Sequence, residues 1–185
     1  MTTMNKILSS DPDVALVHTN TLTTFGVSSK VLCLASPVLS TVLAQHFPGG
    51  EIPPAARRLL EVKLWDDLTS PEALEIILNV LHYRYRFVGK RIDPAILYDI
   101  AVLADKYGLT EVLGLWKDAW VKEQPLSGKR LLCIQFLFRD KDGFTAECRR
   151  MALTGDSSDE EDSRCDPDGR WDGGLLGGVL GIIYI

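Results

Sequence analysis

Apolar residues recur at spacings of three and four between Val27 and Leu43, in the segment VSSKVLCLASPVLSTVL. This spacing is typical of an amphipathic helix. Pro37 interrupts it, because proline has no amide hydrogen and clashes with the preceding helical turn. Proline is nevertheless well tolerated at the first position of a helix, and serine is a favoured N-cap. The pattern therefore predicts two helices that meet at a corner, with Ser36 as the N-cap of the second.

Shorter runs predict three strands. Residues 13–17 and 22–27 are mostly apolar and are separated by a short polar stretch, as in a β-hairpin. Leu60-Glu61-Val62-Lys63-Leu64 alternates apolar and charged residues, which is typical of a half-buried strand. The sequence thus predicts a small sheet whose strands are interrupted by the two helices of the corner.

Helical periodicity returns after the third strand. Thr69 or Ser70 can cap a helix that opens at Pro71, and Asp93 can cap one that opens at Pro94. A third helix is predicted from Thr110 to just before Pro125, and residues 129–153 form a helical stretch in two pieces, with a break around 140–143.

These elements divide the chain into four parts. Residues 1–12 are an N-terminal extension, 13–123 a folded α+β domain, and 124–154 an appended helical segment. Residues 155–185 are acidic and rich in glycine, a composition typical of disorder. The apolar run at the end of this tail is much shorter than the roughly 20 residues that a membrane span needs, so no membrane contact is expected.

Composition and charge narrow the function classes. The chain has 185 residues and a formal net charge of −5, and no basic stripe gathers the side chains that would neutralise phosphates, so direct nucleic-acid binding is not expected. Its four cysteines are widely spaced, and no secretory leader is evident, which favours the cytoplasm or the nucleus. Cys33 is expected to face the core because it lies between Leu32 and Leu34.

The sequence carries no pattern of catalytic chemistry. Nucleophile-elbow, phosphate-loop, dinucleotide-binding and zinc-protease motifs are all missing from it. Its three histidines, His18, His46 and His82, fall in different predicted elements and have no partners at metal-ligand spacing. We therefore expect no enzyme activity, no cofactor and no metal site.

Five segments in order resemble a BTB/POZ domain of the type abundant in fungal proteins: DVALV, FGVSSKVLCLASPVLSTVL, LEVKLWDD, PEALEIILNVLHYR and AVLADKYGLTEVLGLW. The likeness runs from about Asp13 to about Val121. It implies a BTB/POZ fold, in which a small β-sheet is flanked by a cluster of α-helices. It also implies a noncatalytic module for protein–protein interaction, oligomerisation and scaffolding, which commonly self-associates through its N-terminal strands and first helix.

Candidate contact residues follow from this resemblance. A homodimer interface is predicted from apolar residues of the N-terminal half: Val14, Leu16, Leu22, Phe25, Val38 and Leu39. An alternative role is a substrate adaptor for a cullin-type ubiquitin ligase. Adaptors of this kind carry a hydrophobic-x-Glu element after the second helix, and the closest equivalent here is Phe47 and Glu51 in HFPGGE, which departs from that pattern.

Two further features allow alternative interpretations. Trp116 and Trp120 lie four residues apart and hence on one helical face. They either pack on the appended helices or line a groove for a partner protein. Ser157 and Ser158 precede a run of acidic residues, so they are candidate sites for an acidophilic kinase, unless the tail only adds solubility.

Overall fold

The computed structural model describes residues 6–19, 21–46, 59–64, 69–124 and 126–154. In these ranges the chain has an α+β fold, with a mixed four-stranded sheet in the order β1-β3-β2-β4. The strands are β1 (Lys6–Ile7), β2 (Val14–His18), β3 (Thr24–Val27) and β4 (Leu60–Leu64).

The hairpin and the third predicted strand are confirmed. β2 and β3 are antiparallel, with Val14 opposite Val27, and β4 runs parallel to β2 on its other side, with Val14 opposite Leu60. β1 was not predicted. It pairs in parallel with β3 at the edge of the sheet, and its two residues are too few to carry a period-two pattern.

Seven helices and one 3₁₀ turn accompany the sheet in the described chain. α1 and α2 lie between β3 and β4, and the others follow β4. The helices are α1 (Ser29–Ala35), α2 (Pro37–His46), α3 (Pro71–Leu81), α4 (Pro94–Lys106), α5 (Thr110–Lys122), α6 (Gly128–Leu137) and α7 (Lys141–Thr154), and the 3₁₀ turn spans Tyr85–Phe87. The break between α6 and α7 falls slightly before the predicted one, so that Asp142 and Gly143 belong to the first turn of α7.

The corner between α1 and α2 is confirmed. Ser36 is fully buried and has extended backbone dihedrals, and its Oγ accepts a hydrogen bond from the backbone N–H of Leu39 at 2.9 Å. The same hydroxyl donates to the carbonyl oxygen of Tyr107, at the end of α4. One serine therefore caps α2 and joins the corner to a distant helix.

The predicted caps of α3 and α4 are also present. Ser70 Oγ accepts from the N–H of Ala73 at 3.2 Å, and Asp93 Oδ1 accepts from the N–H of Ala95 at 2.8 Å. α4 is followed by Gly108 with a φ of +63°, a left-handed conformation that glycine adopts without steric cost.

The core lies between the sheet and the helices and continues into the appended segment. Every residue of β2 is buried, and this strand lies between β3 and β4 in the sheet. α3 packs against α4, and α4 packs against α6, so that Ile134 and Phe138 join the same apolar cluster as Leu113 and Trp120. In packing terms, the appended helices continue the domain.

Cys33 departs from its prediction. It is exposed, because α1 has only seven residues and buries Leu32, one position earlier, against the core. The predicted tail, residues 155–185, lies outside the described residues. None of the helices in the described ranges has the length and apolar character needed to span a membrane.

Candidate interaction surface

Four of the six residues predicted for a dimer interface are part of the core of the single chain. Val14 and Leu16 on β2, Phe25 on β3 and Leu39 on α2 are all buried. Their prediction as surface residues is wrong, because the central strands of the sheet are covered and contribute their side chains to the fold itself. These four residues do not present a surface to a second copy of the chain.

The other two predicted residues are exposed, and two unpredicted residues resemble them. Leu22 is 66% exposed and Val38 40%, while Ile7 on β1 and Leu34 on α1 are 62% and 89% exposed. We call Ile7, Leu22, Leu34 and Val38 the aliphatic set. All four residues belong to the N-terminal half of the chain, before β4. A sequence signal for Leu34 did exist, since the four successive apolar residues 31–34 cannot all face one side of a helix.

A second surface feature is an aromatic ladder of Tyr83, Tyr85, Trp116 and Trp120. Neighbouring ring centroids lie 6.0, 5.4 and 5.7 Å apart along it, which are ordinary distances for aromatic pairs. Trp120 is fully buried, and its indole N–H donates to the carbonyl oxygen of Gly89 at 3.0 Å. Trp116 is half-buried, and both tyrosines are exposed. The ladder therefore leads from the core to the surface.

The two tryptophans were predicted either to pack in the interior or to line a groove for a partner, and the geometry separates them. Trp120 is a core residue, so it does not line an accessible groove. Trp116 has one aromatic neighbour in the core and one, Tyr85, at the surface. Of the predicted pair, only Trp116 has surface within reach of a partner.

Arginines lie beside the aromatic ladder, on and just before the 3₁₀ turn. The guanidinium carbons of Arg84 and Arg86 are each 4.6 Å from the ring centroid of Phe87, within cation–π range. Arg84 also donates from Nη1 to the carbonyl oxygen of Ile7 at 2.5 Å, which connects this turn to β1. This feature was not predicted, although the alternation of aromatic residues and arginines in YRYRF after α3 is a sequence signal for it.

Two of the histidines, His18 and His82, are engaged in structural hydrogen bonds. His18 is buried, and its Nε2 lies 3.0 Å from the carbonyl oxygen of Thr69. His82 Nε2 accepts from the N–H of Ser28 at 3.1 Å, and its Nδ1 lies 2.9 Å from the carbonyl oxygen of Leu78. Burial lowers the pKa of His82 below 6.5; the bond to Leu78 opposes this shift, and the charge of Arg84 adds to it.

One buried cation lies at the junction with the appended helices. Lys117 Nζ is bound by the carboxylates of Asp118 and Asp140, each at 2.5 Å, and by Gln135 Oε1 at 3.3 Å. Burial alone would lower the pKa of Lys117, but the bonds to the two carboxylates outweigh it and raise the pKa. The bond from Lys117 is also the main cause of the lowered pKa of Asp140. Lys117 therefore has a structural role, in which it joins α5 to Gln135 on α6 and to Asp140 before α7.

The described ranges contain no group of three or more His, Cys, Asp and Glu side chains that could hold a metal ion. Phe47 and Glu51, proposed for cullin contact, and Ser157 and Ser158, proposed for phosphorylation, lie outside the described residues. Both ideas stay predictions.

Comparison with known proteins adds no relative. No protein-family model matches the chain. A search of curated proteins finds no significant match. The BTB/POZ resemblance therefore stays a prediction that rests on the five sequence segments.

Proposed function

We propose that this chain is a noncatalytic protein–protein interaction module that forms a homodimer through its N-terminal half, as the BTB/POZ resemblance implies. The aliphatic set carries the proposal. Leu34 is the strongest member, because a leucine on a short helix that is 89% exposed contributes little to the fold of its own chain. Within residues 13–123 the order of the elements is two strands, two helices, one strand and then three helices, which is compatible with the resemblance.

A dimer would give these side chains a partner. Full burial of one leucine- or isoleucine-sized side chain contributes about 1.5–3 kcal/mol. In a twofold dimer each residue is buried twice, once on each subunit. A small number of exposed aliphatic residues can therefore supply substantial binding free energy to a symmetric interface.

Sedimentation equilibrium of the full chain at tens of micromolar tests this proposal. We expect a dimer for the unaltered chain and a monomer for Leu34→Glu. The matched control is Leu153→Glu, because Leu153 is 81% exposed and lies on α7, away from the N-terminal half. Circular dichroism should show that both variants fold, since both positions are exposed. A monomeric unaltered chain, or a Leu34→Glu variant that dimerises as well as the control, would contradict the proposal.

A further inference from the structure

The outward face of α5 is apolar and largely exposed. On its inner side the helix buries three residues: Leu113, Lys117 and Trp120. On its outer side Leu115 is 85% exposed and Val112 43%. The half-buried Trp116 and the exposed Ala119 share this side with them, because the four residues are spaced three and four apart. We call Val112, Leu115, Trp116 and Ala119 the α5 face. A contiguous apolar face of this kind marks an interaction site, whereas a single exposed leucine does not.

Two exposed charges border the α5 face on the side opposite Trp116. Glu111 and Lys122 are eleven residues apart, which is about three helical turns, so they lie in one line along the helix and about 16 Å apart along its axis. The ion pairs of the described ranges involve neither residue. One border of the face therefore has a free negative charge at its start and a free positive charge at its end.

The remaining charges of α5 leave this pattern intact. Asp118 is bound to Lys117. Glu123 lies about 100° around the helix from Lys122, on the border that carries Trp116. Opposite charges thus occupy the two ends of one border, and the apolar residues lie beside them.

This pattern is self-complementary when two α5 helices face each other in an antiparallel arrangement. A twofold axis that crosses both helices reverses their direction and keeps each border opposite itself, so Glu111 meets Lys122 of the partner subunit, and this pair forms twice. The midpoint between Glu111 and Lys122 and the midpoint between Leu115 and Ala119 differ by half a residue, which is about 1 Å along the helix. The same axis therefore places Leu115 over Ala119 of the partner subunit. A large side chain over a small one allows close packing of two helices.

A second copy of the chain is the occupant that this pattern fits. It presents the same large and small residues and the same two charges in reverse order, so one orientation forms both kinds of contact. The interface is small, because each subunit contributes one helix face. Interfaces below about 1,200 Å² of total buried area belong to weak and transient contacts. We therefore expect this contact at hundreds of micromolar, above the concentration at which the N-terminal contact is tested.

We propose that the α5 face is a second contact between copies of this chain, in which two α5 helices pack antiparallel, Leu115 covers Ala119 of the partner subunit, and Glu111 pairs with Lys122 of the partner subunit. The inference rests on the proposed assembly function and extends it beyond a dimer. None of the residues in this contact belongs to the aliphatic set. Two separate twofold contacts on one chain link dimers into a tetramer or a longer assembly.

Sedimentation equilibrium of four full-length chains, from tens of micromolar to about one millimolar, tests the inference. The unaltered chain should exceed the mass of a dimer near one millimolar, and Leu115→Glu should stop at the dimer. Leu34→Glu should be a monomer at tens of micromolar and a dimer near one millimolar. The variant with both changes should stay a monomer throughout. Leu153→Glu is again the matched control for Leu115→Glu, since both leucines are exposed on helices. Circular dichroism checks that each variant is folded.

An exchange of the two charges tests the antiparallel pairing itself, in the chain that carries Leu34→Glu. Glu111→Lys and Lys122→Glu each place two like-charge pairs in the contact, so each should weaken the α5 dimer about tenfold. The double exchange Glu111→Lys with Lys122→Glu restores opposite charges and should return the affinity to within about threefold. Lys63→Glu, an exposed lysine on β4, makes the same change of charge outside α5 and should leave the affinity unchanged.

Three results would overturn the inference. One is an unaltered chain that does not exceed the mass of a dimer near one millimolar, which would mean that another protein covers the α5 face. The others are larger assemblies that Leu115→Glu does not reduce, and a double exchange that binds as weakly as the single ones. The two proposals fail separately. A dimer at tens of micromolar that Leu34→Glu removes and that grows no further contradicts only the α5 contact. A dimer that forms only near one millimolar, and that Leu115→Glu but not Leu34→Glu removes, contradicts only the N-terminal homodimer.

Discussion

Ser36 has two hydrogen-bonding roles at one buried position. Its Oγ accepts from the N–H of Leu39 and donates to the carbonyl oxygen of Tyr107. Ser36→Ala removes both bonds, so we expect the free energy of unfolding to fall by about 2 kcal/mol. Urea denaturation measures this change.

Pro37→Ala is the control for Ser36→Ala. Pro37 lies at the first position of α2, where its missing N–H has no helical partner to lose. We expect Pro37→Ala to change the free energy of unfolding by less than about 1 kcal/mol, mainly through the unfolded chain. Equal losses for the two variants would contradict the double role of Ser36.

His82 connects the end of α3 to the start of α1 only in its neutral form. Nε2 must be unprotonated to accept from the N–H of Ser28, while Nδ1–H donates to the carbonyl oxygen of Leu78. The folded state therefore favours the neutral imidazole, in agreement with the direction in which burial shifts its pKa.

Stability is expected to depend on pH through His82. Because its pKa in the folded chain is below 6.5, the unfolded chain binds more protons when the pH falls below that value. The contribution of His82 is complete above pH 6.5 and is lost as the pH falls through the lower, folded pKa. Urea denaturation on either side of pH 6.5 should show this loss, and His82→Gln should reduce the difference. An unaltered difference in the variant would show that other groups cause it.

At the scale of elements, the sequence predicted those with a periodic pattern, and it placed the starts of helices best where a capping residue stands. α3 and α4 begin where Ser70 and Asp93 cap them, and the Pro37 corner was read correctly. β1 was missed because two residues carry no period. The 3₁₀ turn was missed because its three residues are too few to show a helical period.

The joint between α5, α6 and α7 is tightly packed around Lys117. Asp140 accepts from Lys117 and, through Oδ1, from the N–H of Gly143 at 2.9 Å, so one carboxylate holds the buried cation and the start of α7. A methyl group added at Gly143 would lie 2.7 Å from Asp140 Oδ2 and from the amide of Gln135. That is closer than van der Waals contact allows.

The two helical glycines of this region should therefore respond in opposite directions. Gly143→Ala must displace Asp140 and Gln135 from Lys117, and we expect a loss of about 1–3 kcal/mol. Gly114 lies within α5 with nothing within 4 Å of the added atom, so Gly114→Ala should stabilise the chain by up to about 1 kcal/mol through helix propensity. Thermal denaturation of both variants is the measurement. Stabilisation by both would contradict the crowding at Gly143.

At the scale of the whole molecule, sequence patterns did not show which apolar residues form the core and which stay exposed. Val14 and Leu39 were assigned to an interface and are in the core, whereas Leu34 is exposed. Periodicity identifies the apolar face of an element but not what covers it, since that depends on neighbours distant in sequence.

The same limitation affects the predicted boundary at residues 123 and 124, which separates elements that share one core. A chain that ends at Gln124 would lose α6 and α7, and with them the buried side chains of Leu131, Ile134 and Phe138. At about 1.5–3 kcal/mol for each buried side chain, their loss is comparable to the 5–15 kcal/mol by which a typical domain is stable.

We therefore expect the chain that ends at Gln124 to lose cooperative urea unfolding and to bind a hydrophobic dye. A chain that ends at Thr154 keeps every helix described here and should retain the urea midpoint of the full chain. These two truncations test whether α6 and α7 are part of the folding unit or an accessory to an independent domain. If the shorter chain unfolds cooperatively at the same midpoint, α6 and α7 are an accessory to an independent domain. If only the longer chain unfolds cooperatively, residues 14–138 fold as one unit. Tests of assembly must then use the chain with its appended helices.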